Sequence, residues 1–125
     1  MLDLEIVGGA PLPAEEIARL ASLAAASAGL TDGHLAVEFV DAVRIRELNR
    51  AHRGIDEPTD VLSFPIDGAD SDAAGPRELG DVVICLEQTT ELREAIVHGV
   101  LHLVGMDHES DDGEMLALQR ELLSW

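Results

Sequence analysis

Residues 98–108 read His-Gly-Val-Leu-His-Leu-Val-Gly-Met-Asp-His, a stretch that indicates a helix followed by a turn back toward it. His98 and His102 are four residues apart, so on a helix they lie on the same face, one turn from each other. Gly105 follows and can adopt the positive φ that ends a helix. The chain can then reverse and bring His108 to the same point in space. The spacing therefore predicts three imidazoles that meet at the end of one helix.

Three imidazoles around a free fourth position are the ligand set of a catalytic zinc site. Neutral imidazoles suit zinc, and this set requires no carboxylate. The spacing is similar to the H-E-x-x-H-x-x-G-x-x-H pattern of metzincin peptidases, except that Gly99 stands where a metzincin carries its general-base glutamate. A single histidine on an apolar face is usually a core residue. Three at ligand spacing favour one Zn²⁺ per chain, bound by His98, His102 and His108.

Outside this stretch, segments with strand and helix periodicity alternate along the chain. The predicted strands cover residues 2–7, 35–40, 59–64 and 81–86, and the predicted helices cover 13–28, 43–52, 90–104 and a segment capped by Ser110. The strand at 81–86 is the most continuously apolar and is predicted to be central. Residues 67–78 are rich in Asp, Gly and Ala and indicate a loop. We predict one α+β domain over residues 1–125, a small four-stranded mixed sheet covered by helices, with the three-histidine site at one helix end.

Composition narrows the class of protein. A chain of 125 residues can bury a single core. No apolar run is long enough to span a membrane, and the N-terminal residues do not resemble a signal peptide. The single cysteine, Cys85, cannot form an internal disulfide, which is typical of a cytoplasmic protein, and its apolar neighbours predict a buried thiol.

The charge distribution is uneven. A net charge of −17 and the absence of lysine argue against a general nucleic-acid binder, because affinity for polyphosphate comes mainly from basic side chains. Arg46, Arg50 and Arg53 nevertheless follow helical spacing and would form one basic stripe. The alternative is an ordinary solvated helix face whose arginines pair with nearby acids, namely Glu47, Asp56 and Glu57. Charge alone does not decide between these two interpretations.

Three segments carry a resemblance to a known family. They are Leu48-Asn49-Arg50-Ala51-His52-Arg53-Gly54, Pro58-Thr59-Asp60-Val61-Leu62-Ser63-Phe64-Pro65, and Gly80-Asp81-Val82-Val83-Ile84-Cys85 followed by the histidine motif. In this order they resemble the L-N-x-x-Y/H-R-G, P-T-D-V-L-S-F-P and G-D-V-V-I-C…H-G-x-L-H-L-x-G-x-D-H segments of the YbeY family. That family comprises bacterial single-strand-specific metallo-endoribonucleases associated with 16S rRNA 3′-end maturation and ribosome quality control.

The resemblance implies a zinc-dependent endoribonuclease that acts on single-stranded RNA, with rRNA as the expected substrate and a ribosomal subunit or ribosomal protein as a further partner. It also implies that His98, His102 and His108 bind the zinc and that Arg53 is the catalytic arginine beside it. Expected substrate-binding residues are Arg46, Arg50 and Ser63. The chain departs from the family between the G-D-V-V-I-C strand and His98, where only residues 86–97 remain.

The expected chemistry is metal-activated phosphodiester hydrolysis. A three-histidine zinc site lowers the pKa of a bound water to about 7, and either that water or the ribose 2′-OH could be the nucleophile. Arg53 would stabilise the negative charge that grows on the phosphoryl group. Gly99 removes a peptidase's general base and so favours phosphoryl chemistry. Asp107 either hydrogen-bonds to a histidine ligand or is a turn residue after Gly105.

Two other classes of function remain open at this stage. One is a non-catalytic ribosome-assembly factor, in which zinc mainly holds the fold and the arginine stripe docks on RNA or a ribosomal protein. The other is a metzincin-like zinc hydrolase of non-RNA substrates, against which Gly99 counts.

Overall fold

The computed structural model describes residues 2–9, 11–27, 29, 33–65, 78–104 and 114–124. Within these ranges the strands are β1 (Leu2–Val7), β2 (Gly33–Val40), β3 (Val61–Pro65) and β4 (Glu78–Cys85), and the α-helices are α1 (Ala14–Ser27), α2 (Ala42–Arg53), α3 (Leu92–Leu103) and α4 (Glu114–Leu123). Residues 67–77 of the predicted loop, His108, Asp107 and the predicted cap Ser110 lie outside the described residues, while Glu78, the last residue of that loop, belongs to β4. None of the helices in these ranges is both long and apolar enough to cross a membrane.

The four described strands form one mixed sheet in the order β1-β2-β4-β3. β1, β2 and β4 are parallel, while β3 runs antiparallel to β4. This arrangement confirms the predicted α+β class, the four-stranded mixed sheet and the inner position of the apolar strand β4. It leaves β3 at an edge of the sheet.

The two faces of the sheet bury different helices. Side chains on β4 alternate, so that Val82 and Ile84 belong to the main core while Val83 and Cys85 face the other side. The main core contains buried residues of α1, α3 and α4. On the opposite face, Ile45 of α2 packs in a smaller cluster that includes Cys85, which is the buried thiol expected from the sequence. The sheet therefore separates α2 from α3.

Both ends of α2 follow the signals in the sequence. The side chain of Asp41 accepts a hydrogen bond of 2.8 Å from the backbone N–H of Arg44, which satisfies a free donor of the first turn. Gly54 ends the helix in the left-handed conformation at φ 73°, and its N–H donates to the carbonyl of Arg50 at 3.0 Å. These contacts confirm the predicted start and stop of this helix.

The β3–β4 pair differs from the prediction at its ends. β3 begins at Val61 rather than at residue 59, because the Asp60 side chain takes up the Val61 N–H at 2.9 Å. It extends through Pro65, which an edge strand tolerates because proline lacks only a donor. β4 begins at Glu78 instead of residue 81, since Gly80 pairs with Pro65. The neighbouring Asp60 side chain thus sets the start of β3, while pairing with His34 of β2 and Pro65 of β3 sets the start of β4.

Candidate metal centre

Helix α3 brings His98 and His102 together on one face. Their Nε2 atoms lie 3.1 Å apart, and their ring centroids are 4.6 Å apart at an interplanar angle of 74°. Both rings are half-buried. The apolar residues of the helix are packed in the core, including Ile96, Val97, Val100, Leu101 and Leu103. The predicted convergence of these two imidazoles is therefore confirmed.

The distance between the two Nε2 atoms suits shared binding of a zinc ion. Two nitrogen ligands of a tetrahedral zinc lie about 3.3 Å apart, because each Zn–N bond is about 2.0–2.1 Å long. The observed 3.1 Å requires little adjustment to reach that separation. His108 lies outside the described residues, and in the described ranges no group of three His, Cys, Asp or Glu side chains could hold a metal ion. The three-histidine site therefore stays a prediction, although the structure places two of its three histidines.

Gln119 of α4 contacts the other nitrogen of His98. Its Oε1 lies 2.8 Å from His98 Nδ1, and its Nε2 donates to Glu94 Oε1 at 3.0 Å. The side chain is only 3% exposed, so it is a buried amide with both ends hydrogen-bonded. Sequence reasoning missed this residue. The available signal was a polar side chain between Leu118 and Leu122, the residues that give α4 its apolar face.

Gly99 faces the sheet, away from the two imidazole nitrogens. A Cβ atom at this position would lie 2.5 Å from Val82 Cγ1 and 2.9 Å from Val61 Cγ2, so no side chain fits without movement of the strands. The sequence comparison with metzincins treated Gly99 as a missing general base. The structure gives a packing reason for the glycine: the helix approaches the β3–β4 pair too closely for a glutamate.

Ser63 strengthens the same contact between helix and sheet. Its hydroxyl donates a hydrogen bond of 2.7 Å to the carbonyl oxygen of Gly99, which joins the edge strand β3 to α3. The side chain is half-buried. The predicted role of Ser63 in substrate binding stays a prediction, while its role in holding β3 against the helix is observed.

The arginines of α2 differ in their partners. Arg46 binds Asp56 through two hydrogen bonds, Nε to Oδ1 at 2.9 Å and Nη2 to Oδ2 at 3.1 Å. These bonds, followed by the charges of Arg46 and Arg50, lower the pKa of the Asp56 carboxyl despite some desolvation. Arg44 lies 3.4 Å from Glu47. The interpretation of this face as ion-paired therefore holds for Arg46.

A broad depression of about 580 Å³ lies along the same face of α2. It is lined by Val43, Arg46, Glu47, Arg50, Ala51 and Asp56. Val43, one of these lining residues, is 68% exposed. Basic, acidic and apolar groups alternate here, so the surface is not a uniform basic stripe.

Arg53 stands at the last position of α2 and is exposed. Among the described residues no carboxylate pairs with it, since Asp56 is held by Arg46. The neighbouring ring of His52 packs on Phe64 of β3 with centroids 4.5 Å apart, which fixes this end of the helix beside the edge strand. Because α2 and α3 occupy opposite faces of the sheet, Arg53 and the two histidines come from different sides of it. Its catalytic role stays a prediction.

The segment that follows Arg53 is held by Asn49, a residue whose role sequence reasoning missed. Asn49 is 2% exposed, and its Nδ2 donates to the carbonyl of Glu57 at 2.9 Å. Its own carbonyl accepts from the N–H of Ile55 at 3.4 Å. These bonds fold the chain back against α2 and set the direction from which it enters β3.

A smaller pocket of about 220 Å³ opens on the Nδ1 side of His98. It is lined by Asp60, Thr89, Thr90, Glu91, Glu94, Ala95, His98 and Gln119. Three of these residues are acidic, so the pocket repels phosphate groups. A nucleic-acid backbone would approach the imidazoles from another direction.

Comparison with known proteins identifies relatives of this chain. The sequence model of the family described as "Endoribonuclease YbeY" matches residues 14–125. A protein of that name from Bacillus cytotoxicus is 41% identical, over 86% of this chain and 82% of its own. One from a Bradyrhizobium strain is 44% identical, over 89% of this chain and 78% of its own. The solution structure of a Thermotoga maritima protein covers 97% of this chain and 87% of its own, with a TM-score of 0.56 and 28% identity.

Proposed function

The chain belongs to the YbeY family of endoribonucleases, and we propose that it cleaves phosphodiester bonds in single-stranded RNA using one zinc ion held by His98, His102 and His108. The observation that carries the metal part is the approach of the two Nε2 atoms to 3.1 Å. The family and the motif resemblance support RNA as substrate. The proposed setting is the cytoplasm, in 16S rRNA 3′-end maturation and ribosome quality control.

The zinc ion would supply Lewis-acid activation of the nucleophile, either water or the ribose 2′-OH. The chain's own residues then have separate tasks. His98 and His102 would present their Nε2 atoms to the metal from a helix whose apolar residues are buried in the core. Asp107, if it hydrogen-bonds to a ligand, would help to orient the site.

Arg53 would hold the scissile phosphate and stabilise its developing charge. A guanidinium offers paired hydrogen bonds to phosphate oxygens, which suits this task better than a single ammonium does. The exposed position of Arg53 beside the edge strand leaves it free to turn toward a substrate. Arg50 would contribute a further contact, while Arg46 would have to leave Asp56 in order to do so.

A second candidate function is a non-catalytic ribosome-assembly factor with a structural zinc. The contact from His98 to Gln119 favours it, because this hydrogen bond links a proposed zinc ligand on α3 to the packing of α4. A metzincin-like peptidase is not favoured, since the close packing around Gly99 excludes the glutamate that such an enzyme uses.

Cleavage of a short single-stranded RNA, compared with its duplex, tests the proposal. The wild-type protein should carry about one zinc per chain by elemental analysis and cleave only the single strand. His102→Ala should lose both zinc and cleavage. His52→Ala is a matched control, because this histidine packs on Phe64 outside the predicted site and its loss should leave zinc content unchanged.

Each candidate function predicts a different result. Zinc bound at one per chain without any cleavage would support the assembly factor. A folded wild-type protein that takes up no added zinc would contradict both functions. Undiminished cleavage by His102→Ala would show that the nuclease activity does not depend on this site.

A further inference from the structure

We propose that Glu94 and Gln119 together hold the His98 ring in the tautomer that carries its proton on Nδ1, so that its Nε2 atom can act as a metal ligand, which makes Gln119 a positioning residue of the site. This inference rests on the proposed function for its consequence, the affinity for zinc. The tautomer itself follows from hydrogen bonds among described residues.

The argument begins at Glu94, whose carboxylate can accept hydrogen bonds but cannot donate them. It lies 3.0 Å from the side-chain amide of Gln119, so the amide end that faces it must be the NH₂ group. The carbonyl oxygen of the amide then faces the other way. Glu94 thus determines the orientation of Gln119.

The next step is from Gln119 to His98. The amide oxygen can only accept, and it lies 2.8 Å from His98 Nδ1. His98 must therefore carry its proton on Nδ1 in order to donate. In a neutral imidazole the other nitrogen then has a lone pair, and this is the Nε2 atom that faces His102 at 3.1 Å.

Burial of Gln119 strengthens the preference of His98 for the tautomer with its proton on Nδ1. Gln119 is 3% exposed, so losing the hydrogen bond at its carbonyl oxygen would leave a largely buried acceptor without its partner. If His98 carried its proton on Nε2, two lone pairs would face each other at 2.8 Å. The three side chains come from α3 and α4 and lie 21 and 25 positions apart in the sequence, so the arrangement exists only in the folded protein.

The consequence is an Nε2 lone pair directed at the predicted metal position before any metal arrives. Partners of this kind, which orient a histidine ligand through its other nitrogen, change metal affinity by about tenfold to a hundredfold when they are removed. Gln119→Met removes both hydrogen bonds while keeping a side chain of similar size. It should weaken zinc binding by about that factor.

Exchanging the side chains at positions 94 and 119 should restore zinc affinity. In the double variant Glu94→Gln with Gln119→Glu, the amide at position 94 donates to the carboxylate at position 119, which accepts from His98 Nδ1. Zinc affinity should then return to within about tenfold of wild type or better, because the pattern of donors and acceptors is restored. Leu122→Ala is the matched structural control, since Leu122 is a buried residue of α4 that takes no part in these hydrogen bonds.

Two measurements decide the proposal. The ¹⁵N chemical shifts of the His98 ring in metal-free protein report its tautomer, and competition with a chromophoric chelator gives zinc affinity. We expect an Nδ1-protonated ring in the wild type and in the double exchange, and a mixture in Gln119→Met. Leu122→Ala should lower the melting temperature while keeping wild-type tautomer and zinc affinity.

A wild-type ring protonated at Nε2 would overturn the proposal, as would Gln119→Met with unchanged tautomer and unchanged zinc affinity. If the wild type binds no zinc, the proposed function fails while the ring shifts still decide the tautomer. If Gln119→Met does not fold, Glu94→Gln replaces it, because Glu94 is exposed. That variant frees the Gln119 amide to turn and should produce a mixed tautomer; an unmixed Nδ1–H ring would count against the role of Glu94.

Discussion

Two arginines on α2 show how surroundings separate side chains of the same type. Arg46 is committed to Asp56 by two hydrogen bonds, at 2.9 and 3.1 Å. Arg53 is exposed at the end of the helix, and no described carboxylate pairs with it. A guanidinium that is already paired must give up those bonds before it can bind a phosphate. Arg53 is therefore the better candidate for the scissile phosphate.

Arg53→Ala should lower the rate of single-turnover RNA cleavage by about a hundredfold to a thousandfold, the usual cost of losing one donor to a transition-state charge. Zinc content and thermal stability should stay near wild type, because the side chain is exposed. Arg53→Lys should recover part of the rate, since an ammonium lacks the paired donors. Arg44→Ala is the control on the same helix. A rate in Arg53→Ala equal to that of the control would contradict the assignment.

Gly99→Ala should destabilise the fold by about 1–3 kcal/mol, since overpacking forces strands and helix apart. The added Cβ would meet Val82 Cγ1 at 2.5 Å and Val61 Cγ2 at 2.9 Å. Gly9→Ala is the matched control, because nothing lies within 4 Å of a Cβ built there. Urea unfolding of both variants gives the free energies. Equal stability of the two would show that α3 can move away from the sheet at little cost.

At the scale of elements, α2 is joined to the segment after it by more than its capping glycine. Asn49 binds the carbonyl of Glu57, and Arg46 binds the side chain of Asp56, so the chain folds back along the helix before it enters β3. This return brings the end of α2 to the sheet edge, where His52 packs on Phe64. The position of Arg53 depends on these contacts as much as on the helix itself.

Arg46→Gln should raise the pKa of Asp56 toward its usual value of 3.8, because hydrogen bonds from Arg46 are the main cause of its lowering. A lowered pKa in the folded state favours folding above the pKa of the unfolded chain, and this contribution is lost as pH falls through the folded-state value. NMR titration of the Asp56 carboxyl carbon measures the change. Arg44→Gln should leave it unaffected. An identical Asp56 pKa in both variants would mean that the pair does not persist in solution.

At the scale of the molecule, the net charge of −17 conflicts with binding a polyanion. The chain contains no lysine, and two arginines of α2 lie near acidic partners, Arg44 near Glu47 and Arg46 near Asp56. The pocket beside His98 is acidic as well. We therefore expect contact with RNA to be confined to a small region, with few phosphates neutralised.

The dependence of RNA affinity on salt should accordingly be shallow. If three or four single-strand phosphates are contacted, the slope of log affinity against log salt is about −2 to −3. Binding of a catalytically inactive His102→Ala protein to a labelled single strand, measured over a range of salt concentrations, gives this slope. A steep slope, near that of a protein which neutralises eight or more phosphates (about −6), would reveal a basic surface that these contacts do not account for.

The amino-acid sequence by itself determined the features that depend on near neighbours along the chain. The helical spacing of His98 and His102 predicted their convergence, Asp41 and Gly54 predicted the ends of α2, and the apolar run predicted an inner strand. These predictions succeeded because helix periodicity, caps and strand apolarity act within a few residues. His108 and Asp107 lie outside the described residues, so their roles stay predictions.

Tertiary structure alone decided which distant residues meet. It placed Gln119 against His98, brought Val61 and Val82 too close to Gly99 for any side chain, and put α2 on the face of the sheet opposite α3. It also determined that Asp56 pairs with Arg46 and not with Arg53. None of these contacts follows from local spacing, because each depends on which faces of the helices and strands pack together once the whole core has formed.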